Sequence, residues 1–385
     1  MNVLFINFEY PPLGGGGGVM TAQIAEELAQ RHSVHVITTF FSNTKRYEFL
    51  DGVHIHRVPV FGRTTIPTAT LISLITFAPA AFFTGLILTR KHAFDIINAH
   101  FVIPSGLVAL GLSRLRKIPL VVTLVGGDIY DPSKGISPHR HGILRSTIRF
   151  ILRHADAITA ISQDTKQRAI ELHGITQNIT VVPIGLIPYS CDPLPREALG
   201  LTDSDFLCVS IGRLVTRKGY ETLLEAWKNI HNAYLFIIGE GPLRKSLQIY
   251  IENNQLSDRV RLVGFIPEHE KQAMLRTANI YVSAAQHEGF GIVFLEAMQA
   301  GLPIVAANDG GQKDFLEHHK HALLVPPHDA AKIASAVLQL FNDDSLRKNM
   351  KDRNIHDVRE YYIDKTAALL EFVLQDTVTR YERHH

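Results

Sequence analysis

Short apolar runs alternate with helix-length amphipathic segments along nearly the whole chain. In the first half the strand-like runs are VLFINF, VHVITT, VHIHRV, DIINA, LVVTL, AITAI and ITVV; in the second they are FLCVSIG, YLFIIG, VRLVG, IYVSA, PIVAA and ALLVP. Helical spacing fills the gaps, as from Met20 to Arg31, where Ala22, Ala25, Leu28 and Ala29 form one stripe. The strand runs are continuously apolar rather than alternating, which means burial on both faces and so parallel sheets covered by helices. At 385 residues the chain exceeds what one core usually supports. The expected class is α/β, as two doubly wound parallel-sheet domains. Their rhythm breaks in PIGLIPYSCDPLPREALG, Pro183 to Gly200, which has four prolines and no period. This sets domains at 1–187 and 188–359, and beyond Pro326 the pattern turns helical to the end.

One segment, Thr64 to Thr89, carries no charge. A membrane-spanning helix needs ~20 apolar residues. This stretch contains Pro67 and Pro79 and lies between two strand-like runs that should share a sheet, so we expect one or two buried or membrane-touching helices there. Residues 1–185 carry 17 Lys+Arg against 11 Asp+Glu, while the remainder carries 22 against 26. The first half is thus about +6, which suits contact with an anionic membrane surface or a phosphorylated acceptor, or else is a solvated basic face. Two cysteines, Cys191 and Cys208, and no charged start leading into an apolar core point to a reducing cytoplasm. Dispersed cations and 8% aromatics give nucleic-acid binding little support.

Three constellations carry candidate chemistry. Gly14 to Gly18 follow the first strand and open the first helix, so unhindered backbone N–H groups meet a helix N-terminus where phosphate prefers to sit; a plain surface loop is the other reading. The run is contiguous rather than G-x-G-x-x-G, which disfavours a nicotinamide cofactor. In VSIGRLVTRKGYETLLEAW, Arg213 and Lys218 bracket the loop after a strand, where they can hold a diphosphate and neutralise its charge as it leaves, or be surface charges. In NIYVSAAQHEGFGIVFLEAMQAGLPIVA, Gly289 and Gly291 permit a tight turn. Gly301 and Pro303 end the following helix. Glu288 falls in the loop and Glu296 on the helix, so each can accept from hydroxyls on one side of an anion site. Two hydroxyl acceptors around one anion site describe a sugar nucleotide. The D-x-D pair Asp203 and Asp205 precedes its strand in what should be a turn, and His318 to His321 lacks ligand spacing and reads as a solvated loop. No metal site is expected.

The E-x7-E motif followed by EAMQAGLPIVAANDGG, with GRLVTRKG and GEGPLRKSL upstream and PPLGGGGG at the start, resembles the retaining glycosyltransferases of family 4. Their fold is GT-B, two Rossmann-like domains facing across a cleft. The resemblance covers nearly the whole chain. It implies that Arg213 and Lys218 bind the donor diphosphate, Glu296 the ribose, and Glu288 the hydroxyls of the transferred sugar, assisted by backbone groups of Phe290, Gly291 and Ile292. Gly264, Phe265 and Ile266 would hold the base through their backbone, and Gly15 and Gly16 would approach the donor from the other domain. A C-terminal helix, 360–385, is implied to return to the first domain, which takes the acceptor, while the second takes the donor.

Three positions depart from the family pattern. Val125 in TLVGGD stands where a histidine commonly contacts the sugar, leaving Asp128 and His100 as candidates for orienting the acceptor or as structural residues. Ile184 replaces an asparagine before the hinge. Lys313 and Asp314 in GGQKDFL stand where G-G-x-x-E is usual. The reaction expected is metal-independent, cofactor-free transfer of a hexose, with retention, from a nucleoside-diphosphate sugar to an acceptor hydroxyl. The acceptor would be a glycan or lipid-linked molecule of bacterial surface-glycan or glycolipid synthesis, reached from the cytoplasm or at the inner face of the cytoplasmic membrane. A sugar phosphorylase, a sugar-nucleotide epimerase and a non-catalytic sugar-nucleotide-binding protein are the rival readings.

Overall fold

The computed structural model describes residues 1–66, 69–131 and 137–384; Pro67 lies outside them. The chain forms two compact units, Met1–Ile187 with Tyr361–His385, and Pro188–Glu360.

The first unit runs β1 (Asn2–Ile6), α1 (Gly16–Ala29), β2 (Ser33–Thr39), β3 (Tyr47–Leu50), β4 (Val53–Val58), α2 (Leu71–Lys91), β5 (Ile96–His100), α3 (Leu107–Arg116), β6 (Leu120–Leu124), α4 (Gly142–Arg153), β7 (Ala157–Ala160), α5 (Gln163–His173) and β8 (Ile179–Val181). Its sheet is ordered β3-β4-β2-β1-β5-β6-β7-β8, parallel except for β3. Both faces of β1 are buried, because Leu4 and Ile6 join Phe77, Leu112 and Ile151 on one side while Val3 and Phe5 join Ala25 and Leu28 on the other. The antiparallel β3 was not legible in the hydropathy pattern. Asp51 and Gly52, both at positive φ, turn YEFL back onto β4 in a two-residue hairpin. Helix α1 begins at Gly16, inside the glycine run expected to open it and ahead of the apolar stripe that starts at Ala22. The glycine run supplies the first turn, where backbone donors lack intrahelical partners in any sequence.

The uncharged segment forms one helix, α2, capped by Thr70 and Ser73 in a reciprocal capping box. Ser73, Phe77, Ala81, Gly85 and Leu88 face inward at helical spacing. Gly85 lets α2 cross α3 closely, since a Cβ there would lie 2.3 Å from Leu112. The opposite face shows apolar groups to solvent, with Ile75 63% and Phe83 65% exposed. By length and composition α2 could cross a membrane. It packs instead on β2, β4 and α3 along one side.

The second unit runs β9 (Leu207–Ile211), α6 (Tyr220–Trp227), β10 (Tyr234–Ile238), α7 (Arg244–Asn253), β11 (Val260–Gly264), α8 (Glu268–Thr277), β12 (Ile280–Val282), α9 (Ile292–Gln299), β13 (Ile304–Ala307), β14 (Ala322–Val325), α10 (Ala330–Asn342) and α11 (Asp344–Asp357). Its parallel sheet is ordered β11-β10-β9-β12-β13-β14. The last helix, α12 (Ile363–His384), belongs to the first unit, where Ala367, Leu370 and Leu374 pack with Val3, Phe5 and Leu28 behind the sheet.

Candidate functional site

In the second unit the chain builds β9, β10 and β11 outward, then returns to place β12 on the other side of β9. The loops after β9 and β12 therefore diverge at a topological switch point, where open α/β sheets bind ligands. The two loops are laced backbone to backbone. Gly219 stands at φ +66 with the Ala284 carbonyl so close that a Cβ would lie 2.1 Å from its oxygen, and the Gln286 N–H donates to the Arg217 carbonyl at 2.9 Å. Only glycine fits at 219.

Glu288 emerges from this lacing between two cations. Lys218 Nζ donates to Oε1 at 2.5 Å and Arg217 Nη1 to Oε2 at 3.0 Å, with Arg217 also reaching the His287 carbonyl at 2.7 Å. Glu288 is only 7% exposed. Burial by itself would raise its pKa, but Lys218 and Arg217 outweigh that and hold the carboxyl down at about 2. From behind, the Gly311 N–H donates to the Glu288 carbonyl at 2.8 Å, and Gly310, at φ +98, passes so near that a Cβ would meet that oxygen at 2.4 Å. Gln312 is buried and donates to the Ala307 carbonyl at 2.9 Å, while Lys313 is exposed.

Of the two cations singled out in the sequence, the structure joins Lys218 to Glu288; Arg213 is exposed and enters no ion pair among the described residues. Arg217 was missed. The short 3-10 turn Thr216–Lys218 aims two consecutive side chains at one carboxylate, and such a turn has no hydropathy signature.

Gly291, at φ +88, caps α9, and Phe290 is buried against Phe315 at 5.1 Å between ring centroids. Ile292 is the first residue of the helix, so 290–292 offer backbone N–H groups at its positive end. Glu296, 8% exposed, accepts from Lys271 Nζ on α8 at 2.9 Å through Oε1, while its buried Oε2 has no hydrogen-bond partner among the described residues. Burial raises its pKa against the opposing pull of Lys271. Lys271 also pairs with Glu268 at 2.9 Å, and this i,i+3 pairing was the available sequence signal for it. Gly264 ends β11 at φ +88, its carbonyl accepting from the Gly239 N–H at 2.8 Å; Phe265 is 80% exposed and Ile266 half-buried.

The first unit has its own switch point, because β5 returns to the far side of β1. Around it, a Cβ on Gly15 or Gly16 would meet nothing, whereas one on Gly17 would lie 2.5 Å from the Phe101 ring and 3.2 Å from Val125. His100 lies in the interior, hydrogen-bonded to Thr21 Oγ1 at 2.7 Å and Asn98 Oδ1 at 3.0 Å, and burial pushes its pKa down to about 3, so the ring is neutral. Asp128 accepts from the Val102 N–H at 2.9 Å and the Val125 N–H at 3.0 Å, tying the loops after β5 and β6 together. Ile184 is buried, which accounts for an apolar residue there.

Asp205 closes a local turn by accepting from the Thr202 N–H at 2.6 Å. The reading of His318–His321 as a solvated loop holds for His318 and His319, but His321 is buried. It accepts from the Glu317 N–H through Nδ1 and pairs with Asp357 through Nε2 at 2.9 Å.

Residues 14–188 match the model described as Glycosyltransferase Family 4, and residues 194–357 the model described as Glycosyl transferases group 1. The chain is 25% identical to the N-acetyl-alpha-D-glucosaminyl L-malate synthase of Bacillus anthracis, covering 96% of each. It is 27% identical to the putative teichuronic acid biosynthesis glycosyltransferase TuaC of Bacillus subtilis, over 74% of this chain and 71% of that one. Among solved structures, the sucrose-phosphate synthase of Thermosynechococcus elongatus superposes with a TM-score of 0.86 at 21% identity, covering 99% of this chain and 100% of that one. HepE of Anabaena in complex with UDP superposes with a TM-score of 0.80 at 19% identity, covering 98% and 100%. The chain is a glycosyltransferase that belongs to family 4 and has the GT-B fold of two parallel-sheet α/β domains.

Proposed function

We propose that the second unit binds a nucleoside-diphosphate sugar at the β9/β12 switch point and that the chain passes the hexose, with retention and without a metal ion, to an acceptor hydroxyl held by the first unit. The observation that carries this reading is the Lys218–Glu288–Arg217 constellation. Glu288 is kept ionised although buried, so it accepts strongly from sugar hydroxyls. A diphosphate, with more negative charge than one carboxylate, competes for the same cations, and Lys218, Arg217 and Arg213 neutralise it as it departs. Glu296 holds an acceptor oxygen in hand for the ribose, and the backbone at 264–266 and 290–292 serves the base and the sugar. Gly15 and Gly16 leave room beside the start of α1, where the Gly15 N–H now donates to Glu9 Oε2 at 3.3 Å and phosphate would take the place of that carboxylate. His100 and Asp128 act as positioning residues.

In the transfer, the bond from the anomeric carbon to the diphosphate oxygen breaks while the acceptor oxygen bonds on the same face. The leaving oxygen takes the acceptor's proton, so no protein base is needed at Val125. The UDP complex of HepE supports a nucleotide donor here, and the TuaC relative supports a surface-glycan acceptor.

An anionic membrane is the second partner proposed, met from the cytoplasmic side and supplying a lipid-linked acceptor. Helices α2, α3 and α4 carry Arg90, Lys91, Arg114, Arg116, Arg145, Arg149 and Arg153 but no Asp or Glu, and they expose Ile75, Phe83, Leu115, Ile143 and Phe150. Apolar insertion plus cation attraction is how interfacial helices hold to anionic lipid.

Melting the purified chain with UDP-, GDP- and ADP-glucose identifies the donor by which one raises the transition. With that donor, Lys218→Ala should slow transfer on the order of 100-fold, the scale of losing one charge-stabilising donor. Glu288→Gln should lower turnover, and chelators should change nothing. Transfer unchanged by Lys218→Ala or Glu288→Gln would overturn the reading.

A further inference from the structure

Four imidazoles converge at the β4 side of the first sheet, outside anything the transfer chemistry uses. His35 on β2 stands directly across from His54 on β4, and His56, two residues on, shares its face. His92 follows α2 and leans over the same spot. The His35 ring lies 4.4 Å from that of His54, 4.8 Å from His92 and 5.3 Å from His56, centroid to centroid. His35 Nδ1 and His56 Nε2 are 3.1 Å apart. Beside them opens a cavity of about 400 Å³, lined by the four rings with Tyr47, Ile87, Leu88 and Lys91.

We propose that His35, His56, His54 and His92 form a binding site for one divalent transition-metal ion of the zinc class. Two nitrogens bound to zinc at ~2.0–2.1 Å in a tetrahedral shell stand roughly 3.3 Å apart, close to the separation His35 and His56 already have. His54, whose Nδ1 is hydrogen-bonded to Tyr47 Oη at 3.0 Å, and His92 do not stand at ligand spacing in this structure and would complete the set by turning about their side-chain bonds. An all-nitrogen set favours zinc, copper or nickel over magnesium or calcium. Among the described residues no carboxylate lines the cavity, so none of them would support protonated imidazoles, and neutral imidazole is the ligating form. Lys91 opposes a bound cation, but it is exposed on the rim and can turn to solvent. The ion would clasp β2 and β4 to the end of α2. This inference is independent of the donor reading, since it assigns the metal no part in transfer.

Cobalt titration of the metal-stripped full chain tests it, in a background where His384 and His385 are replaced by Ala so that the terminal pair cannot bind. One equivalent should produce ligand-field absorption of a tetrahedral or five-coordinate nitrogen site, displaced by one equivalent of zinc, and zinc should raise the melting temperature. His35→Gln and His56→Gln should each weaken affinity about tenfold or more, given that even outer-shell changes cost 10–100-fold. Should those fold poorly, His92→Ala, at an exposed position, gives the same comparison. Absence of the cobalt bands in the parent chain, or bands and a thermal shift indifferent to these substitutions, would overturn the site and leave an aromatic packing cluster.

Discussion

Glu288 is the residue on which acid stability and the proposed donor site converge. Its carboxyl titrates at about 2 in the fold, against 4.5 when unperturbed, so its pairing with Lys218 and Arg217 stabilises the fold fully above about pH 4.5 and is lost as pH falls from there toward 2. Denaturant unfolding of Glu288→Gln beside the parent should show the largest deficit at neutral pH, shrinking by about pH 3. A deficit that does not change with pH would mean the carboxylate is not held ionised by its neighbours. The motif E-x7-E named this residue from sequence because glycines and a following apolar helix announce a strand-loop-helix corner. Arg217 and Lys271 escaped the same reading. Each depends on which way a side chain leaves a turn or a helix, which is decided by tertiary packing. His321 shows the converse: a run of imidazoles that looked solvated has one member buried against Asp357.

Among the elements, α2 is the one whose two faces disagree with a simple globular pattern. Its inward stripe is small at Ala81 and Gly85, where α3 crosses, while its outward stripe is large and apolar. Ile75 and Phe83 are mostly exposed, so replacing both by Glu loses little beyond the edge contact of Phe83 with Phe82 and should lower the melting temperature only slightly. The same pair should abolish most co-sedimentation with vesicles containing phosphatidylglycerol, as the parent's binding should fall when neutral phosphatidylcholine replaces it. Equal sedimentation of parent and variant would sink the membrane partner. The element's helical character was legible in its lack of charge and its length; its exposure was not, because hydropathy alone does not distinguish a face turned to a core from one turned to lipid. Strand β3 lay beyond reach for another reason. A four-residue edge strand buries little, so only its Asp51–Gly52 turn distinguishes it.

At the scale of the molecule, continuous apolar strands were enough to call two parallel sheets covered by helices, since burial on both faces leaves few alternatives. The switch points follow from strand order rather than strand composition, so they became visible only in the structure. The first unit is completed by α12, whose Leu374 is fully buried against the back of the sheet. Leu374→Ala should cost about 2–5 kcal/mol, read by calorimetry as a lowered transition for the first unit, with the second unit's transition unmoved.

That placement inverts the usual order of events during synthesis. Residues 188–360 leave the ribosome before 363–384 do, so the second unit can close while the first still shows the apolar back of its sheet. The part of the chain translated first is therefore the last to be completed, and for that interval the surface that α12 will cover is exposed apolar area of the kind that aggregates.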